Sequence, residues 1–255
     1  EEEAIEARKE YDKALADEAN AAKKGSSGPA MLNHLPDGKL QKAKERLDRA
    51  TEALDDLIAI DTQTDDMTRR RKGLPPAYLL DFDYDKKYQR TTAIVSAGNP
   101  DTATHVSTLV PGIGTNVRER LGYYMDINDR LRAQTRHAGL DPNNVATISY
   151  LGYVAPRNDG ANIVQAANID YANRAAPKLA RFEEGLRASA NANGHKFLNT
   201  LLTHSYGSTT GGKSATLMAP GTVDRLILSG SPGGGVQSID EYNVPKGHVY
   251  ESSVP

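Results

Sequence analysis

The stretch Lys196-Phe-Leu-Asn-Thr-Leu-Leu-Thr-His-Ser-Tyr-Gly-Ser-Thr-Thr-Gly-Gly-Lys-Ser-Ala-Thr-Leu-Met-Ala219 decides how this chain is read. It opens as a short apolar strand and turns tightly at His204-Ser205-Tyr206-Gly207. It then continues as a helix of small residues that ends before Pro220-Gly221. Two chemistries compete for it. In the first, Ser205 stands on a strained strand-to-helix turn with its hydroxyl exposed, a nucleophile elbow. The helix N-terminus behind it favours developing negative charge, and the Tyr206 N–H can face a tetrahedral oxyanion. In the second, Gly207-Ser-Thr-Thr-Gly-Gly-Lys-Ser214 matches the phosphate-cradling pattern G-x-x-x-x-G-K-S/T at every fixed position. One backbone cannot do both, because the elbow needs helix from Tyr206 and the phosphate loop needs helix only from about Lys213.

Working outward, the bulk properties exclude several classes. At 255 residues the chain holds one large domain or a medium domain with an appendage. Hydrophobic content of 38% and charged content of 25% suit a soluble globular protein. A net charge of −2 provides no global field for nucleic acid or anionic membrane. No cysteine is present, which removes disulfides, thiolate metal sites and a cysteine nucleophile. No run of 18 apolar residues is long enough to span a bilayer. The start at Glu-Glu-Glu and the stop at Val254-Pro255, just after a strand pattern, read as a piece of a longer protein.

Residues 1–73 differ in composition from the remainder, being rich in Ala, Glu, Lys, Asp and Arg with few β-branched residues. Leu40, Ala43, Leu47, Ala50, Leu54 and Leu57 keep a/d heptad spacing, and Ala4, Ala7, Tyr11, Ala14 and Ala21 form a weaker stripe. Gly25-Ser-Ser-Gly28-Pro29 separates the two, and Asp37-Gly38 marks a helix start, so a helical hairpin is expected. Its role is packing or spacing, or else a surface of residues 1–72 for a partner helix. Arg69-Arg70-Arg71-Lys72 reads as a solvated helix end.

Leu74-Pro75-Pro76 opens a second domain, 74–255, with short apolar runs between Gly, Pro, Asn and Asp. Strands are expected at 78–82, 91–95, 106–110, 145–154, 196–203, 225–229 and 247–252, the first two as an antiparallel hairpin around 83–90. Helices are expected over 116–138, 161–192 and 206–218. Alternation of strands and helices predicts an α/β fold with a mostly parallel sheet and helices on both faces.

The phosphate-loop reading lacks partners. Its helix would meet Pro220 within about two turns, and the strand Leu226-Ile-Leu-Ser-Gly230 does not end in the acid that a magnesium ion requires. The serine reading finds support in Val110-Pro-Gly-Ile-Gly114, a loop after an earlier strand whose glycines let backbone N–H groups approach a ligand. There the Ile113 N–H is the second oxyanion donor. Gly207 permits a close strand–helix crossing. Thr203 departs from the glycine expected two residues before the serine.

The second domain resembles an uncharacterised actinobacterial α/β-hydrolase family with a G-H-S-Y-G-S elbow, matched here by Thr203-His-Ser-Tyr-Gly-Ser208. The likeness extends through Ala97–Val106, Leu109–Thr115, Tyr150–Tyr153 and Leu228–Gly233 in order. It implies an α/β-hydrolase fold and a serine hydrolase of esterase, lipase or amidase type, acting on a small-molecule or lipid ester. It places the acid after the strand at 247–252 and the histidine further on, both beyond Pro255. Within the chain, Asp240 and His248 satisfy the order serine, acid, histidine and are the in-chain candidates. His204 reads as structural or pocket-lining, and His105, His137 and His195 as solvent-facing. No cofactor is expected, and no metal, since no histidine pair has ligand spacing. The alternative from another class is a degenerate hydrolase domain that serves as a binding scaffold.

Overall fold

The computed structural model describes residues 1–24, 38–70, 76–157 and 168–252. The expected break at 25–29 and the boundary residues Leu74 and Pro75 lie outside the described residues. Contacts divide the chain into two compact units, Glu1–Ile58 and Ala59–Pro255. The first holds α1 (Glu2–Lys24) and the larger part of α2 (Lys39–Arg70). Ala7 and Ala43 are its buried stripe residues, and Arg46 pairs with both Glu10 and Glu6. The last turns of α2 belong to the second unit.

The second unit is built on a seven-stranded sheet. Its strands are β1 (Ala77–Asp85), β2 (Arg90–Ala97), β3 (His105–Val110), β4 (Val145–Leu151), β5 (Leu198–His204), β6 (Arg225–Ser229) and β7 (Val249–Ser252), in spatial order β1-β2-β4-β3-β5-β6-β7. The β1–β2 hairpin is antiparallel, as its short connection dictates, and β2 is also antiparallel to β4. Every pair from β4 to β7 is parallel. Helices α3 (Val117–Gln134), α4 (Asp170–Ala192) and α5 (Tyr206–Leu217) connect the parallel strands or cover them. Val117, Leu121 and Met125 of α3 pack with Ile60 and Met67 of α2 on Ala93, Val95 and Leu151, which form one face of the sheet. On the other face, Ala172, Ala175 and Leu179 of α4 and Ala215 of α5 pack on Val106, Ile148, Leu201 and Leu226. Strands buried on both faces explain the continuous apolar runs in β2 and β4.

Several boundaries differ from the sequence reading. The strand expected to reach Val154 stops at Leu151, and it is followed by Gly152, where a side chain would lie 2.9 Å from Ile94 and Tyr150. β1 runs further than expected, with a register shift between Leu79 and Asp81, so the loop expected at 83–90 shrinks to a short turn. Asp85 closes that turn by accepting the N–H groups of Lys87 and Tyr88. The helix expected over 116–138 changes to a 3-10 turn at Thr135–Ala138 before Gly139, whose φ of 77° ends it.

Beneath the sheet lies an acid that the core does not neutralise with a cation. Glu183 of α4 is fully buried, accepts from Asn199 Nδ2 at 2.8 Å, and leaves its Oε1 unpartnered. Asn199 Oδ1, also buried, has no partner among the described residues. A neutral carboxyl avoids carrying a charge into this dry setting. Burial raises the Glu183 pKa from 4.5 to about 7, against the lowering effects of Asn199, Thr108 and Arg187. A raised folded pKa means the folded state binds the proton more tightly. The stability it contributes is full below about pH 4.5 and lost as pH climbs through about 7. The span corresponds to a term on the order of 3 kcal/mol. Glu183→Gln, which mimics the neutral acid, should melt higher than the wild type at pH 8. Melting curves from pH 4.5 to 8 should show the variant with the flatter dependence.

Candidate active site

Ser205 lies between the last residue of β5 and the first of α5, at φ 53° and ψ −128°. Apart from Gln89 in the hairpin turn, it is the only non-glycine residue at positive φ among the described residues. Such a backbone costs about 1–3 kcal/mol and persists only where the surroundings over-determine it. Here they do. The Ser205 N–H donates to Ser229 O at the end of β6 (2.9 Å), and the Ser208 N–H donates back to Ser205 O (2.8 Å).

The loop after β3 presses on the same turn from the other side. A side chain at Gly112 would lie 2.7 Å from Ser205 Cβ and 3.1 Å from its Oγ. A side chain at Gly207 would lie 2.3 Å from Val110 O and 2.5 Å from Pro111 O, so helix and loop touch backbone to backbone. Three hydrogen bonds hold the loop in place. Tyr153 donates to Pro111 O (2.5 Å), Thr115 Oγ1 to Gly112 O (2.8 Å), and Gly114 N to Pro156 O (2.7 Å). Burial pushes the Tyr153 phenol well above its usual range, so it stays a neutral donor. Sequence reasoning missed Tyr153 and Thr115. Their signal is weak, since a tyrosine just after a strand and a threonine in a glycine loop are common.

Ile113 is partly buried and Tyr206 buried. Neither the Ile113 N–H nor the Tyr206 N–H has a hydrogen-bond partner among the described residues. Both flank the serine, one beyond Gly112 and the other at the helix start, where partial positive charge gathers. The Tyr206 ring points away. Its hydroxyl donates to Asn168 O (2.5 Å) and accepts the Ala172 N–H (3.1 Å), which fixes the start of α4. Burial raises the Tyr206 pKa.

The phosphate-loop alternative fails on backbone geometry. Residues 207–212 are helical, and Lys213 lies two turns along α5, its side chain packed on Gly235. A loop that wraps an anion would leave those residues extended.

The structure does not bring His248 to the serine. β6 and β7 are parallel, with Leu226 beside Val249 and Ser229 beside Ser252. His248 therefore precedes β7 at the end of the sheet opposite Ser205, and its carbonyl accepts the Leu226 N–H. Asp240 occupies an exposed 3-10 turn and pairs loosely with Lys246 at 3.8 Å. His204 is exposed beside the nucleophile. His195, expected to face solvent, instead bonds Ala103 O through Nε2 (2.6 Å). His105 bonds Thr104 Oγ1 through Nδ1 (3.0 Å), and His137 is exposed. No histidine among the described residues bonds the Ser205 hydroxyl.

Glycine relieves the turn and alanine does not, because only glycine adopts this mirror-image conformation freely. Ser205→Gly should therefore be more stable than Ser205→Ala by about 1 kcal/mol, or about 2–4 °C in melting temperature. Paired thermal melts of the two variants check this; equal values would mean that the turn is unstrained.

Residues 86–255 match the family described as Alpha/beta hydrolase. The chain is 33% identical over 178 residues to Uncharacterized protein Rv2079 of Mycobacterium tuberculosis, covering 69% of this chain and 26% of that one. It is 31% identical over 182 residues to Uncharacterized protein Mb0988c of Mycobacterium bovis, covering 69% and 65%. It thus spans about a quarter of the first relative and under two thirds of the second. Among solved structures it is similar to a cold-adapted esterase from an Arctic intertidal metagenomic library. That match has 12% identity and a TM-score of 0.40, covering 71% of this chain and 83% of the esterase.

Proposed function

The chain belongs to the alpha/beta hydrolase family, and we propose that it is a serine hydrolase acting by acyl transfer, with Ser205 as nucleophile. One observation carries the reading. Ser205 holds a strained positive φ at the C-terminal end of a central parallel strand, with the Gly112 backbone against its side chain. Strain of this kind is retained where a reacting group must be presented.

In the proposed reaction Ser205 Oγ attacks the carbonyl carbon of a small-molecule or lipid ester, or of an amide. A C–O bond forms as the serine proton passes to a histidine base. The carbonyl oxygen becomes an oxyanion held by the N–H groups of Tyr206 and Ile113. The histidine returns the proton to the leaving alcohol or amine, and water then releases the acid by the same route. We place that histidine and its carboxylate partner outside the described residues, because His248 lies at the end of the sheet opposite Ser205. The helical region expected over 1–73 is proposed as an appendage to the hydrolase domain expected from 74, with the last turns of α2 contributing Ile60 and Met67 to that domain's core. Among the described residues no helix is long and apolar enough to cross a membrane.

A fluorophosphonate probe should label Ser205 in the full-length protein, and Ser205→Ala should abolish labelling while the fold is kept. Labelling that survives the substitution overturns the assignment. A folded full-length protein that takes no label is the result expected of a degenerate domain used for binding.

A further inference from the structure

We infer that Thr203 and Gly211 form a matched pair that positions Ser205, an assignment that rests on the serine-hydrolase reading for its catalytic meaning but not for its geometry. Thr203 stands where the elbow pattern calls for glycine, and a β-branched side chain there should crowd the strand–helix crossing. The structure shows how it is accommodated. Thr203 is fully buried, and a side chain at Gly211, on the face of α5 turned to β5, would lie 2.4 Å from Thr203 Cγ2. The space released by one missing side chain is filled by the methyl group of the other.

The hydroxyl adds a second effect that glycine could not supply. Thr203 Oγ1 donates to Ile227 O on β6 at 2.8 Å and lies 3.0 Å from Ser208 Oγ in the first turn of α5. Each hydroxyl has one proton. The satisfied arrangement is therefore Ser208 Oγ–H to Thr203 Oγ1, and Thr203 Oγ1–H to Ile227 O. Ser208 is fully buried too, and its N–H donates to Ser205 O. The relay thus runs from the neighbouring strand to the helix turn, on both sides of the strained residue. The Ser205 N–H bond to Ser229 O ties the same turn to the same strand. Thr203 is in this sense a positioning residue: it touches no substrate and acts through the turn that carries Ser205.

The test uses the full-length protein and three readouts: melting temperature, amide exchange at Ser205 and Ser208, and the rate of fluorophosphonate labelling per folded molecule. Thr203→Val keeps the shape and removes the hydroxyl. It should speed exchange at Ser205 and Ser208 by ten-fold or more, with distant core amides unchanged, and slow labelling by ten-fold or more. Gly211→Ala should be destabilising although alanine is the better helix former, because its Cβ meets the Thr203 methyl. Thr203→Ser keeps the hydroxyl and removes that methyl, so alone it should lower the melting temperature while exchange and labelling stay near the wild type. Combined with Gly211→Ala, it should recover the melting temperature that Gly211→Ala loses. Unchanged exchange in Thr203→Val, or no rescue of Gly211→Ala by Thr203→Ser, overturns the pairing. A wild type that takes no label while the exchange pattern holds sinks the hydrolase reading and leaves the pairing in place.

Discussion

Three backbones meet at Ser205, and their contact governs the rest of the second unit. The turn between β5 and α5 is held from one side by the end of β6 and from the other by the loop after β3. That is possible only if β5 lies between β3 and β6, which is the order observed. It also requires parallel strands, so that the ends of β3, β5 and β6 lie at one edge of the sheet. Helix α5 must then cross close to the sheet, with Gly207 against two carbonyl oxygens and Gly212 against the Gly234 backbone. A bulkier helix start would lift the crossing and relax the serine. The strain at Ser205 is thus a consequence of packing, not an isolated peculiarity of one residue.

Much of this architecture was legible because its signals are local. Short apolar runs between Gly, Pro, Asn and Asp pointed to all seven strands, and the run from Thr91 needed no tertiary knowledge to be read as a strand. The helix beginning at Tyr206 followed from the turn at Ser205 and the small residues after it. What escaped depended on contacts between distant residues. The end of β4 at Leu151 coincides with Gly152, where Ile94 of β2 leaves no room for a side chain, a contact between residues far apart in the chain. The extension of β1 through charged Asp83 and Asp85 is set by pairing with β2, against the low strand propensity of aspartate. Propensity is a weak prior, and a paired edge overrides it.

The site divides the same way. Ser205 was chosen from the strand-turn-helix pattern, and the structure gives it a positive φ with the Gly112 backbone against its side chain. Asp240 and His248 met the chain-order requirement equally well, yet chain order does not say which end of a strand a residue occupies. In a parallel sheet every strand starts at one edge and finishes at the other, so a residue just before a strand lies at the edge opposite one just after it. Ser205 follows β5 and His248 precedes β7. They stand apart by the full length of the strands for a reason that was readable in principle, once the β6–β7 pairing was taken as parallel.

That polarity also separates stability from chemistry within this unit. At the edge where the strands begin, Arg187 donates to Phe197 O, Thr222 O and Asp224, and Asp224 accepts the Asn199 N–H, a dense set of bonds that ties α4 to β5 and β6. Glu183 lies beside this set, bonded to Asn199. At the other edge the backbone is strained, two N–H groups lack partners among the described residues, and glycines replace side chains. The first edge holds the buried acid because burial favours its neutral form and Asn199 bonds it. The second can hold a strained serine because the sheet below it is anchored at the first. An elbow on a loosely fixed strand would lose its geometry by tilting β5, so the polar network at the start of β5 supports the turn at its end without touching it.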